Sequence, residues 1–146
     1  MIPHATLSVD PRAEALIFDV DGTLLDTMPI HRQAWQETME QYAVPFTDDL
    51  FAELSGLTTV DIVAILNERF HAQLDSPLDA TVLSSAKDRA YLSRVPLIQP
   101  IGPVLDLVHR YQAKIPIGAA TNETFGLAHM VLRSTGMIAT DIRSVL

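Results

Sequence analysis

The feature that most constrains this chain is a short apolar run, Ala15-Leu16-Ile17-Phe18-Asp19-Val20, cut off by Asp21-Gly22. Such a run, ending in a turn dipeptide, reads as a buried parallel strand that opens into a loop. Asp19 and Asp21 then lie at its C-terminal edge. From Pro29 the pattern changes to helical spacing, with Ile30, Ala34, Trp35, Met39 and Tyr42 on one face and Pro29 suited to a first helical turn. A second apolar stripe, Val60, Val63, Ile65, Leu66 and Phe70, follows Thr58, which with Asp61 forms a variant capping box. A third runs through Val82, Leu83, Ala86, Ala90 and Tyr91 after Asp79. The spacing therefore predicts several helices between Pro29 and Arg94 with no strand among them, an insertion after the first strand.

Beyond the insertion the strand–helix alternation returns. Pro103 opens a helix bearing Val104, Leu105, Leu107, Val108 and Tyr111, and Ile115 to Ala120 is a second apolar strand. Thr121, Asn122 and Glu123 end that strand and lead to a helix with Leu127, Ala128, Val131 and Leu132 on its buried side, closing near Gly136. The tail allows one short strand around Ile138 to Ile142. The predicted fold is α/β: an incomplete Rossmann-like parallel-sheet core from residues 1–28 and 95–146, carrying a small all-helical cap at 29–94.

Composition limits what such a fold can do. In 146 residues, ten basic against eighteen acidic side chains give a formal charge of -8. That balance disfavours nucleic acid and anionic membrane surfaces as partners, so an anionic substrate must be captured locally. The absence of cysteine excludes disulfide and thiolate chemistry. Met1 to Arg12 lacks an apolar stretch and no run approaches a membrane span, so a cytoplasmic location is expected.

The motif Asp19-Val20-Asp21-Gly22-Thr23-Leu24-Leu25-Asp26-Thr27, borne on a strand, resembles the first signature of the haloacid dehalogenase-like phosphatase superfamily. The resemblance implies that Asp19 attacks a phosphoryl group to give an aspartyl-phosphate. An ionised carboxylate needs no base to do so. Asp21, two positions on and past a bend, is implied as general acid and then base, with its backbone carbonyl as a metal ligand beside Asp19. Mg2+ is the implied cofactor. Gly22 allows the sharp turn, and Gly22 and Thr23 are candidate phosphate-binding residues through the amides of the loop and the Thr23 hydroxyl. Asp26 and Thr27 read equally well as polar residues at a helix entry.

Thr121, ending its strand, matches the Ser/Thr of the second signature, where the hydroxyl and the following N–H, that of Asn122, bind phosphate. Taken without the first signature, Thr121-Asn122 reads as a helix N-cap. Because parallel strands align their C-terminal ends, Asp19 and Thr121 are predicted to converge.

The helical stretch resembles the cap of the β-phosphoglucomutase-like branch, its bacterial sugar phosphatases in particular, through Asp26-Thr27-Met28-Pro29-Ile30-His31-Arg32-Gln33-Ala34-Trp35. In that branch the histidine matching His31 lies near the active site; the competing reading is a helix-surface histidine. Ser55 and Gly56 fall in the segment matching the cap loop over the substrate. Ser55, Thr58 and Thr59 stand where the mutases carry cations, which argues against a mutase, since a diphosphorylated intermediate needs a second phosphate clamp. Trp35 and Tyr42 read as cap core, while His71, His109 and His129 lack metal-site spacing and read as partly exposed helix residues.

Complete members carry a lysine and an acidic pair beyond the second signature. Here no lysine follows Thr121, and the only acids are Glu123 and Asp141. The segment Gly136 to Arg143 resembles the closing strand of the bacterial sugar phosphatases, displaced towards the N-terminus. The segment is either the product of a deletion or a degraded start of the third-signature strand. The expected function is a phosphatase of small phosphorylated metabolites, sugar phosphates foremost, with impaired activity. The alternative is a non-catalytic remnant that binds a phosphorylated ligand or a protein partner. An exposed sheet edge would favour homo-oligomers.

Overall fold

The computed structural model describes residues 7–137 and 144–145. The chain divides into two compact units, one of Met1–Met28 with Pro96–Leu146 and one of Pro29–Val95. In the first unit, β1 (Leu16–Asp19) and β2 (Ile117–Ala120) pair in parallel, and β2 pairs in parallel with β3 (Ser144–Val145), in the order β1-β2-β3. The register sets Asp19 opposite Ala120, so the two strands end level with each other. Helices α5 (Gly102–Tyr111) and α6 (Phe125–Ser134) join these strands. Pro103 sits in the first turn of α5, where its missing N–H has no partner to lose. Leu107 and Val108 of α5, and Leu127, Ala128, Val131 and Leu132 of α6, are buried. Gly136, at φ +80, supplies the left-handed turn beyond α6.

The parallel strand predicted at the N-terminal end is present but not buried. Residues of β1 alternate between half-buried Leu16 and Phe18 and exposed Ile17 and Asp19, with Ile17 65% exposed. Among the described residues β1 is an end strand of the sheet and gains cover from one neighbour only. The strand predicted around Ile138 to Ile142 lies outside the described residues.

The second unit is helical throughout: α1 (Met28–Glu40, its first residue belonging to the first unit), α2 (Asp48–Leu54), α3 (Thr59–Phe70) and α4 (Ala80–Leu92), followed by a 3-10 turn at Val95–Leu97 that ends in the first unit. Three of these helices open on side-chain caps. Thr47 accepts from the Leu50 N–H, Thr58 from the Asp61 N–H, and Asp79 from the Thr81 and Val82 N–H groups. Each cap satisfies backbone donors that the first helical turn cannot. Trp35 and Met39 of α1 pack with Phe46, Leu54, Leu66 and Leu83 in one apolar core, and the Trp35 and Phe46 rings stack at 5.5 Å.

Two stripes differ from their predicted composition. Val60 and Val82 are exposed, while Ile62 and Lys87 are buried in their helices. Both valines lie within the first turn after a cap, where the chain is still entering from outside the core. No helix among the described residues is long and apolar enough to cross a membrane.

Candidate active site

The loop after β1 is built by its own backbone. The amides of Leu24 and Leu25 both donate to the Val20 carbonyl, at 3.1 and 3.0 Å, and the Gly22 N–H donates to the Leu25 carbonyl at 2.8 Å. Its far side is anchored where Asp26 N–H meets Gln99 O and Ile101 N–H meets Leu24 O, each at 2.9 Å. Leu24 and Leu25 are fully buried beneath it. Gly22 adopts φ +73, which favours glycine, and a Cβ there would stand 3.0 Å from Met28 Cγ, so a larger residue would also have to displace the Met28 side chain.

The wrapping turns these amides inward. The Thr23 amide donates to Val20 O at 3.4 Å, so the amides of Gly22, Thr23 and Leu24 all have partners inside the loop. Thr23 presents its hydroxyl instead, which donates to Asp19 Oδ2 at 3.1 Å.

Asp19 is exposed at the end of β1. Asp21, half-buried, is held from two sides: Thr27 Oγ1 donates to its Oδ1 at 2.7 Å and Thr121 Oγ1 to its Oδ2 at 3.3 Å. Residues a hundred positions apart are thus brought together because the two parallel strands end in register. Thr121 is not a helix cap. Its oxygen accepts from the Glu123 N–H at 3.1 Å, and α6 begins later, with Thr124 at its N-cap position. Asn122 is exposed in the same turn.

Thr27 is the site residue that sequence reasoning undervalued. It is fully buried, and its hydroxyl turns back to Asp21. Only the closure of the loop, six residues after Asp21, brings it there, and no local pattern announces that closure.

The remaining candidates lie in the helical unit. His31 is only 9% exposed, and its ring stacks on that of Tyr91 with centroids 4.3 Å apart. Ser55 follows α2 and returns its hydroxyl to the Phe51 carbonyl at 2.7 Å, while Gly56 is exposed at φ +85. His71 and His109 are exposed and His129 is half-buried.

No three His, Cys, Asp or Glu side chains among the described residues are grouped to hold a metal ion. Asp19 and Asp21 nevertheless suit magnesium, which keeps several waters and commonly takes only one or two carboxylates along with substrate phosphate oxygens.

A parallel sheet with two carboxylates and a threonine at adjacent strand ends defines a Rossmann-like α/β protein with its polar site at the C-terminal edge of the sheet. This chain belongs to the haloacid dehalogenase-like hydrolase family, whose sequence profile matches residues 16–140. It is 31% identical over 126 residues to the fructose-1-phosphate phosphatase YqaB of Escherichia coli, covering 86% of this chain and 65% of that one. Among solved structures it resembles CbbY of Rhodobacter sphaeroides in complex with phosphate, with a TM-score of 0.75, 23% identity, and coverage of 90% of this chain and 62% of that one. It also resembles the magnesium-bound HAD hydrolase YfnB of Bacillus subtilis, with a TM-score of 0.64, 23% identity, and coverage of 92% and 64%. These two likenesses establish a shared fold. The chain spans less than two thirds of the length of each of these relatives.

Proposed function

We propose that this chain hydrolyses small phosphate monoesters, sugar phosphates foremost, through an aspartyl-phosphate at Asp19. The observation that carries the proposal is the hydroxyl-held carboxylate pair: Asp19 and Asp21 at the end of β1, with Thr121 from the next strand on Asp21. The phosphatase name of the E. coli relative supports the substrate class.

In this reading an Asp19 carboxylate oxygen attacks phosphorus as the bond to the leaving oxygen breaks, and Asp21 supplies that oxygen with a proton. Water then attacks the aspartyl-phosphate, Asp21 takes its proton, and inorganic phosphate leaves with Asp19 restored. Thr27 and Thr121 fix where the Asp21 carboxyl points, the positional requirement of a proton shuttle. Thr23 and Thr121 offer hydroxyls to phosphate oxygens, joined by the amide of Asn122. Magnesium, held by the Asp19 carboxylate and the Asp21 carbonyl, would supply neutralisation of phosphate charge. His31, Ser55 and Gly56 are the substrate-side residues of a helical cap, a role that rests on sequence resemblance. The end-strand position of β1 and the exposure of Ile17 support association with a second chain.

The test is release of inorganic phosphate from a panel of sugar phosphates with magnesium, against an Asp19→Asn control. Turnover that vanishes in Asp19→Asn is the expected result. Ligand binding without turnover, unaffected by Asp19→Asn, would replace the enzyme with a phosphate-ligand-binding protein.

A further inference from the structure

The loop after β1 turns its amides onto itself and leaves one hydroxyl directed at the strand end. Thr23 is half-buried, its N–H donates to Val20 O at 3.4 Å, and the two leucines that follow it are fully buried. A β-branched residue anchored in this way has little freedom about χ1. Its hydroxyl donates to Asp19 Oδ2 at 3.1 Å. Asp19 stands opposite Ala120 in the strand register, and a methyl side chain offers that carboxylate no donor. Thr23, Asp19 and Ala120 all belong to one compact unit.

A carboxylate only accepts hydrogen bonds, and a threonine has a single proton to donate. In the structure that proton is on Oδ2, which leaves Oδ1 as the oxygen open to phosphorus. When Oδ1 attacks and the bond to the ester oxygen breaks, the electron pair leaves with that oxygen, which takes a proton from Asp21. Asp19 is then a mixed anhydride, with Oδ2 as its neutral carbonyl. When water attacks phosphorus, the Oδ1–P bond breaks, its electron pair returns to the carboxylate, and a water proton goes to Asp21. Charge therefore drains from Oδ2 in the first step and returns to it in the second. A hydrogen bond to an ionised acceptor is roughly twice as strong as one to a neutral acceptor. The Thr23 bond consequently tightens as the aspartyl-phosphate is hydrolysed, and an interaction stronger in the transition state than in the state before it accelerates that step.

We propose that Thr23 sets the lifetime of the aspartyl-phosphate: its hydroxyl, held on Asp19 Oδ2, stabilises the carboxylate as it leaves phosphorus. Thr23 acts through Asp19 and needs no contact with substrate to do so. The proposal rests on the phosphatase reading and assigns a residue to its second step.

The experiment follows protein-bound label in acid-quenched time courses, with the full chain, magnesium and a sugar phosphate radiolabelled in its phosphate. Thr23→Val keeps the β-branched shape and removes the hydroxyl. It should discharge bound label about tenfold more slowly than wild type and hold more of it at steady state. Loading of label should be as fast as in wild type or up to about threefold faster, because the attacking carboxylate has lost a bond that held its charge. Thr23→Ser, which restores the donor, should discharge within about threefold of wild type. Circular dichroism checks folding, and Thr23→Ala carries the same test if Thr23→Val does not fold. Discharge as fast as wild type, or no more bound label than wild type, in the variant lacking the hydroxyl overturns the proposal. So does a loss confined to loading, which would make Thr23 a contact to phosphate. In each of these outcomes, turnover abolished by Asp19→Asn leaves the phosphatase reading standing. Absence in wild type of any turnover or bound label that depends on Asp19 is a different result: it removes that reading and the proposal with it.

Discussion

Thr27 occupies an unusual position for a hydroxyl residue at the mouth of a helix. Residues just before a helix commonly turn their side chains onto its first amides, yet Thr27 is fully buried and its hydroxyl donates to Asp21 Oδ1 at 2.7 Å. Its partner Thr121 holds the other oxygen at a longer 3.3 Å, so Thr27 is the tighter of the two constraints. Thr27→Val is nearly isosteric and deletes only the hydroxyl. It removes the shorter of the two threonine bonds on the Asp21 carboxyl and should lower kcat for phosphate-ester hydrolysis by about tenfold to a hundredfold, with KM nearly unchanged. Thr27→Ser, which restores the donor, should recover most of the loss. Steady-state kinetics of the two variants decide the matter, and a Thr27→Val enzyme as fast as wild type removes Thr27 from the mechanism.

At the scale of elements, α2 is only seven residues long and depends on its attachments. Leu50 and Leu54 bury its inner face, Thr47 caps it, and Glu53 accepts two bonds from the Arg69 guanidinium of α3, one at 2.9 Å. Those hydrogen bonds hold the Glu53 carboxyl below its ordinary value, outweighing slight desolvation, and raise Arg69 in return. A carboxylate depressed in the folded state stabilises the fold above its unfolded value, and that contribution fades as pH falls through the folded value. Glu53→Gln should therefore lower the urea midpoint slightly at neutral pH, and the two proteins should converge in acid. Because the pair is exposed, added salt should shrink the neutral-pH difference as well. A gap that persists unchanged below the carboxylate range would rule out the ion pair as its source. Legibility in the sequence varied at this same scale. Caps were readable, since Thr58 with Asp61 and Asp79 depend on local chemistry alone. The level ends of β1 and β2 were readable too, because parallel pairing fixes them. Helix α2 was not picked out, being too short for a 3.6-residue period to show. Periodicity also misplaced Val60 and Val82 on buried faces and passed over Lys87, which no hydrophobic pattern marks for burial. The meeting of Asp21 with Thr121 is legible as a motif and a strand end, whereas the bond from Thr27 to Asp21 depends on a loop closure that single residues do not encode.

The whole molecule sets a limit on how fast such a site can run. Phosphoryl transfer leaves little covalent work to the protein and depends on positioning and on neutralising the charge that gathers on phosphate oxygens. Positioning is supplied here by three threonine hydroxyls, Thr23 on Asp19 and Thr27 and Thr121 on Asp21. Within these 146 residues neutralisation must work against a formal charge of -8, with no lysine between Thr121 and Leu146. Arg133, exposed in the last turn of α6, is the nearest basic residue after Thr121 in the chain, and Asp141 and Arg143 lie outside the described residues. Losing a single stabilising group of this kind typically slows an enzyme by about a hundred to a thousandfold. The 146-residue chain should therefore turn over sugar phosphates at least about a hundredfold more slowly than a full-length relative under the same magnesium concentration. Parallel measurements of kcat/KM on one ester, with Asp19→Asn in each protein, make the comparison. Raising magnesium should recover part of the deficit if neutralisation is what is short, because the metal ion and substrate then bind as a pair with less charge to offset. Equal rates in the two proteins, both abolished by Asp19→Asn, would mean that another residue of this chain, or of a second copy, supplies the missing charge.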